Sequence, residues 1–303
     1  MFDVISFGSA VVDIFVNTDV AEKKNFLSYP VGSKILIKDL RVDIGGGGTN
    51  TAVAFSRLGF KTGYIGKIGN DENGSKILNL LKKEKITFLG KQDKGLTGIS
   101  IILDSKEHNR TILTYKGLNN NLSFKELNLK RIKTKWLYYS SLLGESFKTQ
   151  KKLAKILIKK GTKLAFNPSE YLIKNKKIED LLKLTTILIL NKEEASLLSK
   201  EKNLLTSLYE MGPKIVVITN KNKEVECYDG KRKYKIKPHR IKVVERTGAG
   251  DAFASGFVAG QIAGKTIKES LELGLRESES VLRYFGAKNK LLSLKLKSNK
   301  GKK

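Results

Sequence analysis

Three small residues run directly into a carboxylate in the stretch Arg246-Thr247-Gly248-Ala249-Gly250-Asp251, and the apolar run Ala252-Phe253-Ala254-Ser255-Gly256 follows at once. The apolar run predicts a buried helix over residues 251–263. Backbone N–H groups at a helix start can hold an anion, and small side chains let a phosphate come close. An Asp beside that phosphate can accept a proton from an attacking hydroxyl. The stretch therefore predicts a kinase-like site with Asp251 as general base, although an Asp cap after such a turn is commonly structural.

A second glycine-rich turn lies early in the chain, at Gly45-Gly46-Gly47-Gly48-Thr49-Asn50. It precedes a segment with helical spacing that ends before Gly59. Consecutive Gly residues let the backbone approach a polyhydroxylated ligand closely, and Asn50 can both donate and accept hydrogen bonds. Because such a run costs conformational entropy, a binding role is favoured over a flexible turn with an Asn cap.

The composition indicates a folded protein with one large α/β domain or two modest ones. The chain has 303 residues, of which 40% are hydrophobic. The single Cys, Cys227, excludes an internal disulfide and a Cys-based zinc cluster, and two His are too few for a metal motif. Met1 to Val16 carries Asp3 and Asp13 without a basic start, which predicts a strand rather than a signal peptide. No apolar run has the length of a membrane span, so a cytoplasmic location is expected.

The net charge of +28 raises the question of a nucleic-acid partner. Only nine of the 58 basic residues are Arg, and the Lys residues are spread over predicted helix faces. Proteins that read nucleic acids tend to concentrate Arg and to interleave aromatic side chains. Nucleic acid is therefore disfavoured as a partner, and residues 291–303 are expected to form a basic C-terminal tail.

Strands and helices alternate along the chain as they do in a parallel sheet between helix layers. Strands are predicted at 136–140, 163–167, 186–190 and 215–219, and helices at 148–160, 192–199 and 203–210. Alternating strands within 15–44 and 97–116 do not fit this sheet and predict a small β-sheet that covers the site as a lid. A single domain is expected over residues 1–290.

Polar side chains follow two of the predicted strands. Asp13 comes just past the first strand, and Asn191 and Glu194 follow an apolar strand that ends near Leu190. Such strand ends are where open α/β sheets bind ligands, and Glu194 could hold Mg²⁺ through water. Asn191 and Glu194 also fit a helix N-cap with a capping box, so both interpretations stay open.

Together these motifs resemble the ribokinase-like (PfkB) carbohydrate kinases over nearly the whole chain. The resemblance rests on the order and spacing of Gly8…Asp13, Gly45–Asn50, Arg57-Leu58-Gly59, Gly69…Asp71…Gly74, Asn167-Pro168, Asn191…Glu194, Thr247–Asp251 and Gly286-Ala287. It implies a three-layer α/β/α sandwich with a mostly parallel central sheet and a small β-sheet lid. It also implies an enzyme that uses ATP and Mg²⁺ to phosphorylate a hydroxyl of a sugar or sugar-containing small molecule.

The resemblance further implies a role for each matching position. The base is Asp251, and the anion hole consists of the N–H groups of Gly248, Ala249 and Gly250. The implied sugar contacts are Asp13, Gly46, Gly47, Asn50 and Glu145. The implied nucleotide contacts are Asn191, Glu194, Thr219, Lys221 and Thr247, with Glu194 holding Mg²⁺ through water.

Two stretches depart from the family pattern. Glu245-Arg246 stand where the family usually has Asp-Thr, which bears on a monovalent-cation site, and the run from Thr219 to Glu224 lacks two Gly expected under the nucleotide. Nucleoside and sugar-phosphate kinases of the same fold stay open, as does a catalytically weakened protein that binds RNA through its basic surface. An exposed lid edge also predicts a homodimer.

Overall fold

The computed structural model of this protein describes residues 1–24, 26–106, 109–175 and 178–294. In chain order its strands are β1 Phe2–Phe7, β2 Val11–Asn17, β3 Asp39–Gly45, β4 Thr62–Ile65, β5 Lys67–Gly69, β6 Thr87–Phe88, β7 Lys91–Asp93, β8 Gly98–Asp104, β9 Arg110–Tyr115, β10 Thr134–Ser140, β11 Lys163–Asn167, β12 Ile187–Asn191, β13 Ile215–Thr219, β14 Val225–Tyr228 and β15 Lys233–Ile236. Its α-helices are α1 Gly47–Arg57, α2 Glu72–Lys83, α3 Gly144–Ile158, α4 Glu170–Asn175, α5 Glu179–Leu182, α6 Lys192–Leu198, α7 Leu204–Glu210, α8 Ala249–Ile262 and α9 Ile267–Leu282. These bounds fit the strands and helices predicted from Trp136 onward to within a few residues.

The large sheet contains nine strands in the order β15-β14-β13-β12-β11-β10-β1-β4-β6. Neighbouring strands run parallel from β13 to β6, and β14 and β15 extend the sheet as an antiparallel edge. The chain builds outward from β1 in both directions, first through β4 and later through β10. Such a reversal opens a crevice at the carboxyl ends of the strands, where ligands bind in this class of sheet. The predicted mostly parallel sheet is confirmed.

Helices cover both faces of the sheet because successive strand residues point to opposite sides. Leu188 and Leu190 pack into a buried cluster with α3, α4, α5, α6 and α7. Ile187 and Ile189 pack on the other face, in a cluster that contains Phe257 of α8 and residues of α1 and α9. The three-layer α/β/α sandwich is therefore confirmed.

Four strands outside the large sheet form the lid, in the order β3-β2-β8-β9. β2 pairs antiparallel with β3 and parallel with β8, and β8 pairs antiparallel with β9. The lid predicted within 15–44 and 97–116 is present, but β2 begins earlier, at Val11. Residues 34–38, which fall within the range predicted for the lid, do not join it. The backbone N–H of Lys38 donates to the carbonyl of Asn17, where β2 ends, so β2 offers no partner to the residues before Lys38.

The proposed boundary at residue 290 stays a prediction. Leu291 is buried beside α1 and α2, and the backbone N–H of Leu294 donates to the carbonyl of Arg57. The remainder of the predicted tail, residues 295–303, lies outside the described residues, as do Glu107 and His108. Within the described ranges, no helix combines the length and apolarity needed to cross a membrane.

Candidate active site

The two glycine-rich turns meet at the carboxyl ends of the central strands. One turn precedes α1 and the other precedes α8, so the positive N-terminal ends of both helices face the same crevice. The side-chain amide of Asn50 in α1 donates through Nδ2 to Oδ2 of Asp251 in α8, at 2.8 Å. The tertiary structure thus brings the candidate base and a predicted sugar contact into direct contact.

Asp251 is the third residue of α8, which begins after Gly248. Gly248 has a φ of 77°, and the helix has no side-chain cap, so its first N–H groups remain directed at the crevice. Among these first N–H groups, that of Ala249 makes one long hydrogen bond, 3.4 Å to the carbonyl oxygen of Arg246. Burial raises the pKa of Asp251 above its ordinary value, whereas the Asn50 hydrogen bond and the charge of Lys288 lower it.

The glycine-rich turn before α1 is too crowded for larger residues. A Cβ on Gly45 would lie 1.8 Å from Oδ2 of Asp13, and a Cβ on Gly47 would lie 2.9 Å from Cβ of Ser140. Gly46 combines a φ of 96° with a Cβ position only 2.5 Å from the carbonyl oxygen of Ser9. The Gly run is therefore required for the backbone to fit against the lid and the end of β10.

Asp13 reaches the site from the lid, on β2. Burial raises its pKa to about 6, against a lowering by the Ser100 hydrogen bond and by the charge of Lys288. Nearby Asp43 on β3 and Asp251 raise it further. Three carboxylates from two lid strands and α8 therefore share one electrostatic environment.

Lys288, which lies directly after Gly286-Ala287, is a site residue that sequence reasoning missed, as is Asp43. Its side chain is 5% exposed, and its Nζ donates to Oδ1 of Asn50 at 3.0 Å. A Lys at the start of a Lys-rich segment looks solvated in the sequence, so only its position beside the Gly-Ala pair could have marked it.

A cavity of about 230 Å³ opens beside Asp251. Its lining comes from the ends of β11, β12 and β13 and from the starts of α6 and α8, and consists of Asn167, Ile189, Leu190, Asn191, Glu194, Thr219, Gly248, Gly250 and Asp251. A Cβ on Gly250 would meet no atom within 4 Å, so the backbone there faces open space. The cavity is a suitable place for an anionic group held by the start of α8.

Asn191 and Glu194 form the capping box that the sequence also allowed. Oδ1 of Asn191 accepts from the N–H of Glu194 at 2.8 Å, and Oε2 of Glu194 accepts from the N–H of Asn191 at 2.8 Å. Glu194 nevertheless lines the cavity, and burial raises its pKa to about 6. Asn191 and Glu194 therefore cap α6 and line the cavity at the same time.

The turn before Gly248 is tied to the lid. Glu245 accepts from the N–H and the Oγ1 of Thr247, and Arg110, the first residue of β9, forms an ion pair with Glu245. Arg110 Nη1 also donates to Oγ1 of Thr247 at 2.6 Å. Thr247, predicted as a nucleotide contact, is thus held between Glu245 and a lid strand.

Two predicted site residues have other partners. Lys221 pairs with Glu193 at 2.9 Å on the surface, beside the loop that follows β13. Glu145, at the start of α3, pairs with Lys148 at 3.1 Å. The described ranges contain no group of three or more His, Cys, Asp or Glu arranged to hold a metal ion.

Comparison with known proteins finds relatives over nearly the whole chain. Residues 1–293 match the sequence profile described as pfkB family carbohydrate kinase. An uncharacterized sugar kinase of Archaeoglobus fulgidus is 29% identical over 245 residues, which cover 79% of this chain and 98% of that protein.

Two solved structures share the fold. A ribokinase of Thermotoga maritima superposes with a TM-score of 0.84 at 21% identity, covering 97% of both chains. A putative ribokinase II of E. coli in complex with ATP and Mg²⁺ has a TM-score of 0.82 at 18% identity, covering 96% of both chains. The match over residues 1–293 identifies this chain as a member of the pfkB family of carbohydrate kinases, phosphotransferases whose acceptor is an alcohol.

Proposed function

We propose that the protein transfers the γ-phosphate of ATP to a hydroxyl of an uncharged sugar or sugar-containing small molecule. The observation that carries the proposal is the position of Asp251, which lines the cavity at the start of α8 and accepts a hydrogen bond from Asn50. A carboxylate beside an anion-binding helix start is the arrangement that phosphoryl transfer to a hydroxyl requires.

Asp251 acts as the general base in this proposal. As the hydroxyl oxygen of the acceptor attacks the γ-phosphorus, its proton passes to the carboxylate of Asp251, and the bond from that phosphorus to the bridging oxygen breaks to release ADP. One oxygen of Asp251 is bound by Asn50, and the other lies 3.4 Å from the Cβ position of Gly47, on the side of the glycine-rich turn. The exposed backbone at Gly250 faces the space where the phosphoryl group would develop charge.

The residues around the cavity fit ATP and Mg²⁺. Glu194 and Asn191 offer the carboxylate and amide oxygens that Mg²⁺ accepts, directly or through water, and bound Mg²⁺ would neutralise phosphate charge. A second cavity of about 540 Å³ adjoins the loop after Thr219, and its lining includes Lys223, Lys237 and Arg240. Glu224 and Glu226 line the same cavity. The three basic side chains of the lining suit the phosphates of the nucleotide, and the E. coli structure that holds ATP and Mg²⁺ has the same fold.

An uncharged acceptor fits the electrostatics of the sugar side. Asp13, Asp43 and Asp251 stand around the ammonium of Lys288, and Arg57, the other cation that acts on Lys288, is paired with Glu84. Acidic groups therefore predominate on this side. Carboxylates accept hydrogen bonds from vicinal hydroxyls but repel a phosphate on the acceptor. Free sugars are therefore favoured over sugar phosphates, and nucleosides remain within the same class of neutral acceptors.

Pairing of two lids is part of the proposal. The outer face of the lid is apolar and exposed at Leu40, Val42, Ile101, Leu113 and Tyr115. The strand register sets these side chains opposite to the face that carries Asp13, so the apolar face points away from the site. We propose that a second copy of the chain covers this face.

Light scattering after size exclusion would test the pairing. Leu113→Lys should convert a dimer to a monomer, whereas Leu129→Lys, at an exposed Leu outside the lid, should not. A wild-type chain that stays monomeric at high concentration would exclude this part of the proposal.

The kinase proposal is tested by ATP consumption against a panel of sugars, nucleosides and sugar phosphates. Asp251→Asn should lower turnover by ~10²–10⁴-fold while acceptor binding persists. Asp180→Asn, at an exposed residue paired with Lys151, is the matched control. Near-full activity of Asp251→Asn would contradict the base assignment. No phosphorylation of any acceptor, together with salt-sensitive RNA binding, would instead favour the RNA-binding alternative.

A further inference from the structure

Lys288 places a buried ammonium directly behind the candidate base. Its side chain is 5% exposed, and Nζ donates to Oδ1 of Asn50 at 3.0 Å. Nδ2 of the same amide donates to Oδ2 of Asp251 at 2.8 Å. Because an ammonium only donates, Oδ1 of Asn50 must face Lys288, and Nδ2 must then face Asp251.

The backbone that carries Lys288 is held from two sides. Nη1 of Arg57 donates to the carbonyl of Lys288 at 2.7 Å, and Arg57 is itself fixed by a bidentate pair with Glu84 at 2.6 and 3.0 Å. The preceding Ala287 packs so closely on the turn before α8 that a Cβ on Gly248 would lie 2.4 Å from it. The ammonium is therefore positioned by α1 and by the same turn that positions Asp251.

The charges around Lys288 explain why an ammonium can be buried there. Asp43 on β3, Asp13 on β2 and Asp251 on α8 all stabilise its charged form, while burial and the cationic Arg57 oppose it. The charge of Asp251 also acts on Asp13 and on Tyr138 of β10, and burial keeps Tyr138 neutral by raising its pKa. The cluster thus couples the candidate base to one cation.

We propose that Lys288 is a positioning residue for phosphoryl transfer, which orients the amide of Asn50 toward Asp251 and keeps the Asp251 carboxylate ionised. The inference rests on the proposed role of Asp251 as base. It assigns a task to a residue that contacts Asn50 rather than the reacting atoms. If Lys288 only stabilised the fold, replacing it would lower the unfolding temperature without changing the ionisation of Asp251.

The first test needs no substrate, so its failure is distinct from failure of the kinase proposal. The carboxyl groups of Asp are followed by ¹³C NMR as a function of pH, with Asp251→Asn used to assign the signal of Asp251. In Lys288→Met the titration midpoint of Asp251 should rise by about one pH unit, because loss of a nearby positive charge disfavours the carboxylate. Lys268→Met, at an exposed residue of α9, should leave it unchanged. An unchanged midpoint in folded Lys288→Met would overturn the proposal.

Reciprocal titration keeps the inference testable should Lys288→Met fail to fold. Coupling between two titrating groups is mutual. Removing the charge of Asp251 must therefore shift the pKa of Lys288 by as much as removing the charge of Lys288 shifts the pKa of Asp251. In Asp251→Asn the Lys288 ammonium, followed by NMR of its Nζ, should lose its proton at a lower pH than in the wild type. An unchanged Lys288 titration would overturn the proposal.

Kinetics supply the third readout, with the acceptor identified in the panel. Lys288→Met should lower kcat by ~10-fold or more at neutral pH, with a smaller change in KM, and should move the acidic limb of the pH profile upward. Lys288→Arg should leave the acidic limb at its wild-type position because it retains the positive charge. Lys288→Gln, which loses the charge, should move the limb upward as Lys288→Met does. Equal acidic limbs in the Gln and Arg variants would overturn the electrostatic role.

Discussion

The side-chain amide of Asn50 donates to the carboxylate of Asp251 at 2.8 Å, across 201 positions of sequence. The bond joins the first turn of α1 to the first turn of α8. The two glycine-rich turns therefore build a single site, in which the amide and the carboxylate are held by separate helices.

Replacing Asn50 by Ala should damage catalysis more than folding. The change removes the donor that lowers the pKa of Asp251 and leaves Lys288 without its amide partner. We expect kcat to fall by ~10²-fold, as on removal of one preorganised donor. Steady-state kinetics would check this, with Asn79→Ala on the exposed side of α2 as control. Unchanged kcat would show that the bond to Asp251 has no part in turnover.

Gly47→Ala should disturb the site through a steric clash. The added Cβ would lie 2.9 Å from Cβ of Ser140 and 3.4 Å from Oδ1 of Asp251. We expect a loss of about 1–3 kcal/mol in unfolding free energy and a fall of ~10-fold or more in kcat/KM. Gly161→Ala, where a Cβ meets no neighbour but φ is 87°, is the control and should affect stability alone. Wild-type kcat/KM in Gly47→Ala would contradict the close approach.

Arg110→Gln should loosen the lid with little cost in stability. Arg110 bridges β9 to Glu245 and Thr247, and partly exposed ion pairs of this kind contribute ~0–1 kcal/mol. We expect a raised KM for the acceptor and faster hydrogen exchange in β9. Lys38→Gln, which breaks an exposed ion pair with Asp19 and removes no contact to Glu245 or Thr247, should leave both unchanged. Equal exchange rates in β9 of the two variants would show that Arg110 does not hold the lid.

Glu277→Gln should make the stability of the protein less dependent on pH. Glu277 is buried on α9, and burial raises its pKa to about 7 although it accepts from the N–H of Leu292. A carboxyl whose pKa is raised on folding is stabilising when protonated, and that stability is lost as the pH rises from about 4.5 toward 7 and above.

The raised pKa of Glu277 corresponds to a loss of about 3 kcal/mol in the free energy of unfolding between low and high pH. Urea unfolding at pH 5 and pH 8 measures it, and the Gln variant should gain stability relative to wild type at pH 8. The control is Glu272→Gln, at an exposed residue of the same helix. Glu269 is not chosen because its side chain caps α9. An equal pH dependence in wild type and Glu277→Gln would contradict the raised pKa.

Most of the fold could be predicted because the elements carry local signals. The apolar run after Asp251 gave α8, and the strand of 215–219 was predicted with the bounds that the structure has. The lid was recognised from alternating polar and apolar residues, but its β3 begins only at Asp39. The start of β3 depends on where β2 ends, because Asp39 pairs with Asn17, the last residue of β2. The sequence of one strand does not determine which residues of another strand pair with it.

The candidate site was predicted in part, for the same physical reason. Asp251 and Asn50 follow glycine-rich turns with recognisable chemistry. Asp13, predicted just past the first strand, lies within β2, and the structure brings the three residues together. Lys288 has no local signal beyond its position after Gly286-Ala287, because a Lys is ordinarily solvated and only the fold buries it. Glu145 and Lys221 have surface partners, and their assignment to the site stays a prediction.

The sequence by itself determined the order of the elements, the two glycine-rich turns and the identity of the carboxylate between turn and helix, since these depend on residues close together in the chain. Only the tertiary structure decided which side chains surround that carboxylate. Asn50 acts on Asp251 through a hydrogen bond, and Lys288 and Asp13 act on it through their charges. These three residues come from separate segments of the chain, and folding alone sets their distances from Asp251. Burial at that meeting point, and not residue type, raises the pKa values of Asp13 and Asp251.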